Sequence, residues 1–209
     1  LYSLLADYGV EANEGVVVEP NREHYSFQGP LSLLPDMNSH AITDSLMDEN
    51  YYPTMPISLG LTVPQDSESV TALLTTSESA FSKLDGYDMT DYEKEDGDID
   101  GPFALAVSID TAGEGQIVWF TSSHFLDDMH NAVSSGANAN LSMNALSSLI
   151  GETEAMAIRS KSLNYNYLTI SDSTASMLKV LMIGAFPLAY LGVGAAVVLR
   201  RRRLQNEPV

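Results

Sequence analysis

A serine pair followed by a histidine and two aspartates is the part of the sequence closest to a catalytic pattern. Ser122, Ser123 and His124 follow a β-branched and aromatic run, and Asp127 and Asp128 come shortly after. A serine hydrolase needs a hydroxyl, a histidine base and oxyanion donors assembled in space. The chain has no Gly-x-Ser-x-Gly elbow. We therefore expect a polar, non-catalytic loop that binds a ligand or partner through Ser122, Ser123 and His124. A surface hydrolase using His124 with Ser122 or Ser123 is the alternative.

Three alternating aspartates form a second candidate site. Asp96, Asp98, Asp100 and Gly101 match the first half of a calcium loop, in which alternate carboxylates converge on one cation. The bidentate glutamate that closes such a loop would fall at Val107. The pattern therefore favours a solvated acidic loop without a metal, and a calcium-dependent adhesion module is the alternative.

Other metal and cofactor chemistry has little support in the sequence. The chain has no cysteine, which excludes disulfides, thiolate metal sites and a cysteine nucleophile. The histidines do not have the spacing of two ligands on one helix face; they are His24, His40, His124 and His130. The sequence predicts no cofactor.

The strands that would position the serine pair are indicated by hydrophobic pattern. Residues 103–109 and 117–120 are dense in branched and aromatic side chains, and their connection is too short for a parallel crossover. They should form an antiparallel hairpin that places the serine pair at a strand end, where α/β folds often have ligand crevices. Residues 57–63 alternate apolar and small polar side chains, and residues 70–75 and 16–18 are β-branched. Each is a predicted strand.

Helices and loops complete the predicted domain. Residues 1–8 read as the end of a helix with Gly9 as a left-handed cap, and residues 42–47 as a helical turn. Asn140 can cap a later helix. That helix should bury one face and end at a glycine; the residues are Leu141, Ala145, Leu149, Ile150 and Gly151. Strands followed by helices predict an α/β layered domain with a mixed sheet.

Charge divides the chain into distinct regions. Five basic residues stand against 27 acidic ones before Lys179, a balance near −22 that disfavours binding of nucleic acid. Residues 85–100 hold eight acids and one lysine, which predicts a solvated loop. Residues 155–158 and 167–170 read as short extended pieces leading toward the C-terminal stretch.

The strongest signal is an apolar stretch close to the C-terminus. Residues 180–199 have no charge and are followed by four arginines, Arg200 to Arg203. Twenty helical residues span the hydrocarbon core of a bilayer, and flanking arginines stay on the cytoplasmic side. We expect residues 1–178 outside the cytoplasm, a span over 179–199 and a cytoplasmic tail over 200–209. Because the chain starts at Leu1 without a signal peptide, we also expect a preceding segment.

Small residues recur within this span. Ala185, Ala189, Gly192 and Ala196 are spaced by four, three and four residues, which places them on one helical stripe. Small side chains let two helix backbones approach closely in lipid. We predict that this stripe packs against the helix of a partner subunit.

A series of distinctive segments runs along the chain in the order LLADYGVEANEGVVVEP, SHAITDSL, DGPFALAVSID, GQIVWFTSSHFLDD, GANANLSMNALSSLIGE and MAIRSK. One span ending in RRRR completes the order. This order resembles the C-terminal half of the GldG-like family of ABC transporter auxiliary proteins, and the resemblance covers nearly the whole chain. The chain departs from the family at TSSHF, where the family often has Gly-Asp-Ser-Asp-Phe, and at Ala41, which replaces a proline.

This resemblance implies a non-catalytic membrane subunit that works beside the ATPase and permease of an ABC-type exporter or gliding-type machinery. It also implies an outer domain related to glutamine-amidotransferase-like α/β folds without their catalytic cysteine. Our sequence-based interpretation is therefore a single-pass bacterial membrane protein whose outer domain binds a partner or ligand.

Overall fold

The strands of the N-terminal part are short and lie in three sheets. The computed structural model describes residues 2–64, 67–111, 113, 115–151 and 172–205. The strands are β1 (Glu11–Ala12), β2 (Val16–Val18), β3 (Ser32–Leu33), β4 (Asp36–Met37), β5 (Met55–Pro56), β6 (Leu61–Thr62), β7 (Val70–Thr75), β8 (Phe81–Lys83), β9 (Ile99–Asp100), β10 (Ala104–Asp110) and β11 (Gln116–Phe120). The helices are α1 (Tyr2–Ala6), α2 (Asp44–Asp48), α3 (Asp128–Val133), α4 (Ala137–Leu149), α5 (Asp172–Lys179) and α6 (Phe186–Gln205).

The largest sheet has the order β1-β6-β10-β7-β4, and β11 also pairs with β10. Two smaller sheets contain β2-β8-β9 and β3-β5. The predicted combination of helices with sheets is confirmed. Every strand pair among the described residues is antiparallel, so the predicted mixed sheet is wrong there. The relation to glutamine-amidotransferase-like folds stays a prediction.

The predicted hairpin and its neighbouring strand are confirmed. β10 and β11 pair from Ala106 opposite Phe120 to Asp110 opposite Gln116. β7 has the predicted bounds and pairs with the other edge of β10. β10 supplies Ala104 to one hydrophobic cluster and the next residue, Leu105, to the other, and both are buried. A strand buried on both faces explains its nearly continuous apolar sequence.

The predicted strand over residues 57–63 is wrong for its first half. Ile57 has a left-handed backbone (φ 49), and its N–H donates to the Leu31 carbonyl at 2.8 Å. Gly60 packs so closely on Phe103 that an added Cβ would lie 2.7 Å from the ring. These residues connect β5 in one sheet to β6 in another, which the alternating pattern does not indicate.

The predicted helix after Asn140 starts earlier in the structure. Gly136 is the N-cap residue of α4, with φ 88, and Asn140 lies inside the helix. Leu141 and Ala145 are buried as predicted. Leu149 and Ile150, however, are 43% and 60% exposed, so their predicted burial is wrong.

Two asparagines explain the rotated face of α4. Asn138 and Asn144 are buried at 0% and 3% exposure because both bond to carbonyls of distant segments. A side-chain amide can be buried in a core when it forms hydrogen bonds with backbone groups. The apolar pattern of the sequence alone could not predict these buried asparagines.

Residues Ile170–Val209 form a second, C-terminal unit. One helical stretch, Ser173–Arg201, has 29 residues and is long and apolar enough, by length and composition, to cross a membrane. It includes a π-helical segment, Val180–Ala185, where the Phe186 N–H donates to the Leu181 carbonyl. Pro187 follows directly, and its missing N–H accounts for the local change of helix type. The apolar helix is thus confirmed, while its orientation stays a prediction.

Candidate functional site

The predicted serine-histidine site has a geometry different from that of a triad. Ser122 is 4% exposed, and its hydroxyl donates to the Pro56 carbonyl. The same Oγ accepts the backbone N–H of His124 at 3.3 Å. The imidazole of His124 contacts Asp127 instead, with 3.0 Å between Nδ1 and Oδ2. The structure therefore brings Ser122 to the backbone of His124, and the histidine side chain to Asp127.

His130 lies near this pair on α3. Its Nδ1 is buried without a hydrogen-bond partner among the described residues. Burial lowers the pKa of His130, and the charge of His124 acts in the same direction, whereas the carboxylate of Asp127 opposes both. No group of three metal-ligating side chains occurs in the described parts of the chain, these histidines included.

Substitutions at the serine pair should separate a structural serine from exposed ones. Ser122→Ala should lower the free energy of unfolding by about 1 kcal/mol or more, because the buried Pro56 carbonyl loses its donor. Ser123→Ala and His124→Ala should change it by less than about 0.5 kcal/mol, since both side chains are exposed. Urea unfolding followed by the fluorescence of Trp119, the single tryptophan, measures this. A hydrolytic activity abolished by His124→Ala would favour the enzyme alternative.

The acidic segment 85–100 is organised around a buried lysine. Lys83 is 1% exposed, and its Nζ donates to the Glu93 carbonyl at 2.7 Å. The same Nζ lies 3.5 Å from Asp91 Oδ1 and 3.3 Å from Glu95 Oε1. Most side chains of the segment are exposed, but its backbone is fastened over Lys83.

The three aspartates of the calcium pattern do not converge. Asp98 accepts backbone N–H groups from Leu84 at 3.0 Å and from Glu95 at 2.9 Å. Asp100 lies in β9 and pairs with Lys94. Asp96 is exposed. The carboxylates thus serve local bonds within the segment.

The pKa shifts in this segment favour its attached form near neutral pH. Hydrogen bonding from the Glu93 N–H lowers the pKa of Asp91, helped by the charge of Lys83. Burial opposes the shift at Asp98, but the N–H groups of Glu95 and Leu84 outweigh it and lower that pKa. Burial also opposes the shift at Lys83, yet the carboxylates of Glu95 and Asp91 raise its pKa.

Acid should therefore release the segment before the main sheet unfolds. A depressed carboxylate pKa contributes stability above the unfolded value, about 3.9 for aspartate. That stability is lost as the pH falls through the lower folded value. Hydrogen exchange corrected for intrinsic rates should show residues 91–98 losing protection below about pH 4, while β10 keeps its own. Lys83→Met should remove the same protection at pH 7. Unchanged protection in that variant would contradict the role of Lys83 in holding the segment in place.

The predicted turn at residues 42–47 is α2, and its start is fixed by side chains. The Asp44 carboxylate accepts from Ser39 Oγ at 2.8 Å and from the His40 N–H at 3.0 Å. His40 Nδ1 accepts the Ile42 N–H at 3.1 Å, and burial lowers the pKa of this histidine against the opposing charge of Asp44. Asn144 of α4 donates to the Ile42 carbonyl at 2.8 Å. The SHAITDSL segment thus docks α2 against α4.

A cavity of about 520 Å³ is the site that sequence reasoning missed. We call it the Arg22 cavity. Its walls come from the 3-10 turn Arg22–His24, from β4, from the segment around Tyr51 and Tyr52, and from the end of α3. Its size falls within the usual range for small-molecule sites. The weakly periodic loop composition of residues 20–55 gave no signal for it.

Strained backbone also marks this cavity. Asn50 (φ 57) and Ser135 (φ 55) both line it, and both have left-handed backbones that side chains rarely adopt. Such strain persists where surrounding structure fixes the chain, often at ligand sites. The predicted site residues Ser122, Ser123 and His124 do not line this cavity.

Comparisons with known proteins give a weak structural similarity and no family. No family model matches the chain, and no curated protein matches it. The solved mmIFT52 N-terminal domain is similar at 16% identity with a TM-score of 0.46. That similarity covers 72% of this chain and 57% of the other, so the chain spans little more than half of that structure.

Proposed function

We propose that the chain is a non-catalytic auxiliary subunit of an ABC-type transport system. In this proposal a single span anchors an acidic extracytoplasmic domain, which binds a partner or ligand. The carrying observation is the apolar helix Ser173–Arg201 in a chain with one arginine cluster and a strongly acidic remainder. The order of sequence segments, which resembles GldG-like proteins, supports the transporter part.

The geometry at the serine pair is in keeping with a binding role. The buried hydroxyl of Ser122 is committed to a backbone carbonyl, and the imidazole of His124 is paired with Asp127. A nucleophile and its base must share a hydrogen bond to work together, and here the shared bond runs through the backbone N–H of His124.

The proposed topology is tested by protease accessibility. Protease added to intact cells or right-side-out vesicles should digest the domain and leave the arginine tail intact, because flanking positive charge is retained inside. An epitope on each side reports the two outcomes. Protection of the domain would overturn the topology.

The proposed partnership is tested by purification from a detergent extract. An ATPase and a permease should co-purify with the full chain and be identified by mass spectrometry. Recovery of the chain without transporter subunits, after mild extraction and cross-linking, would count against the proposal.

The small-residue stripe gives a sharper version of that experiment. Leucine at Ala189 or Gly192 should release the chain from its complex, because a larger side chain separates two closely packed helices. Leucine at Val193 or Val197, off the stripe, should leave the complex intact. Equal recovery from all four variants would reduce the span to an anchor.

A further inference from the structure

The Arg22 cavity contains an arginine that forms no ion pair with any carboxylate of the described residues. Arg22 is the only arginine within residues 2–151, a region rich in carboxylates. Its Nη1 donates to the Tyr25 carbonyl at 2.8 Å, and its guanidinium carbon lies 4.7 Å from the centre of the Tyr25 ring.

This arrangement leaves a positioned anion-binding group at the cavity. A guanidinium has five N–H donors in a planar fork that matches a carboxylate, and Tyr25 uses one side of it. The contact with the Tyr25 ring limits the motion of the guanidinium. An arginine held in place loses less freedom when it binds an anion.

The rest of the cavity wall indicates which kind of molecule would carry the anionic group. Apolar surface predominates around the cavity, and much of it comes from Phe27, Met37, Tyr51, Tyr52 and Val133. Tyr52 is 57% exposed, which leaves aromatic surface open to an occupant. Such a wall suits an apolar or aromatic body.

The acidic groups at the cavity limit the charge of the occupant. Glu23 and Asp36 also line it, and both are exposed to water. Asp36 Oδ2 lies 3.9 Å from His24 Nδ1, the basic group that pairs with it among the described residues. In a domain this acidic, a singly charged anion meets less repulsion than a phosphate dianion.

We propose that the Arg22 cavity binds a molecule with one carboxylate on an apolar or aromatic body, with Arg22 holding the carboxylate. A free carboxylic acid and the C-terminus of a peptide share this chemistry. The inference rests on the cavity alone and holds whether or not the chain belongs to a transporter.

The test is calorimetric titration of the full chain in detergent with 3-phenylpropionate and with its neutral analogue, 3-phenylpropanamide. The acid should bind in the millimolar range or tighter, and the amide at least tenfold more weakly, because only the acid presents a charged carboxylate to the guanidinium of Arg22. A peptide ending in phenylalanine, as free acid and as amide, forms the second pair. Tighter binding of the peptide acid would identify a peptide terminus as the source, and tighter binding of the small acid a free carboxylic acid.

Matched variants distinguish the cavity from general charge effects. Arg22→Met should weaken binding of the acid at least tenfold, whereas Lys94→Met, which removes the same charge from the acidic segment, should leave it unchanged. Tyr52→Ala, at an exposed wall position, should weaken binding without changing the unfolding midpoint. Equal binding of acid and amide, no binding of either acid up to about 10 mM, or binding of inorganic phosphate in place of both acids would overturn the proposal.

Discussion

Replacing Asn138 with alanine should lower the free energy of unfolding by about 3 to 5 kcal/mol. Its side chain is fully buried, and its Oδ1 accepts the Thr54 N–H at 2.8 Å. Its Nδ2 donates to the Thr54 carbonyl at 3.0 Å and to the Phe125 carbonyl. Alanine would leave these backbone groups buried without partners, and each such group costs about 1 to 3 kcal/mol.

Asn140 supplies the matched control on the same helix. It is half-buried within α4, and its side chain forms no hydrogen bond with the described part of the chain. Asn140→Ala should be neutral or slightly stabilising, because alanine has the higher helix propensity. Urea unfolding monitored by Trp119 fluorescence compares the two variants. If Asn140→Ala cost as much as Asn138→Ala, the role of Asn138 as the tie between α4 and Thr54 would be wrong.

The same asparagine also supports the Arg22 cavity. Thr54, Ser134 and Ser135 line that cavity, and the Asn138 N–H donates to Ser134 Oγ at 3.2 Å. Asn138 therefore joins two walls that are distant in sequence. A partly folded Asn138→Ala chain should lose binding of 3-phenylpropionate together with its stability, unlike Arg22→Met.

The local sequence pattern was sufficient to predict strands in which a single hydrophobic pattern runs along the whole strand. The β-branched run of β7 and the short connection between β10 and β11 predicted both strands and their antiparallel pairing. The apolar helix near the C-terminus followed from length and composition alone. In each case the deciding physics acts within the segment or across a tight turn.

Sequence reasoning failed where distant groups decide the conformation. The left-handed Ile57 is tied to Leu31, and Asn138 is tied to Thr54. Neither partner is close enough in sequence to produce a periodic signal. The segments around Arg22 and Tyr51 have loop composition, so only the folded chain shows that they enclose a cavity. Ser122 and His124 were predicted to form one site because they are close in sequence. In the folded chain their side chains contact different groups.

The second large effect is expected at Gly15, where β2 approaches β8. Gly15 has φ +95, and an added Cβ would lie 2.4 Å from the Lys83 carbonyl oxygen and 2.8 Å from its carbon. Both obstacles are backbone atoms of a paired strand, so they cannot turn aside as a flexible side chain would. Val16 pairs with Lys83 directly after this glycine, and the clash would push the two strands apart.

Gly15→Ala should therefore cost about 2 to 5 kcal/mol, the sum of a left-handed alanine and an overpacked contact. Gly113→Ala isolates the first of these costs, because Gly113 has φ +93 and no atom within 4 Å of an added Cβ. That variant should lose about 1 to 2 kcal/mol. Since Lys83 holds the acidic segment in place, Gly15→Ala should also remove hydrogen-exchange protection from residues 91–98, while Gly113→Ala should not. Equal losses of stability in the two variants would show that β2 and β8 can separate without cost, contrary to the close approach at Gly15.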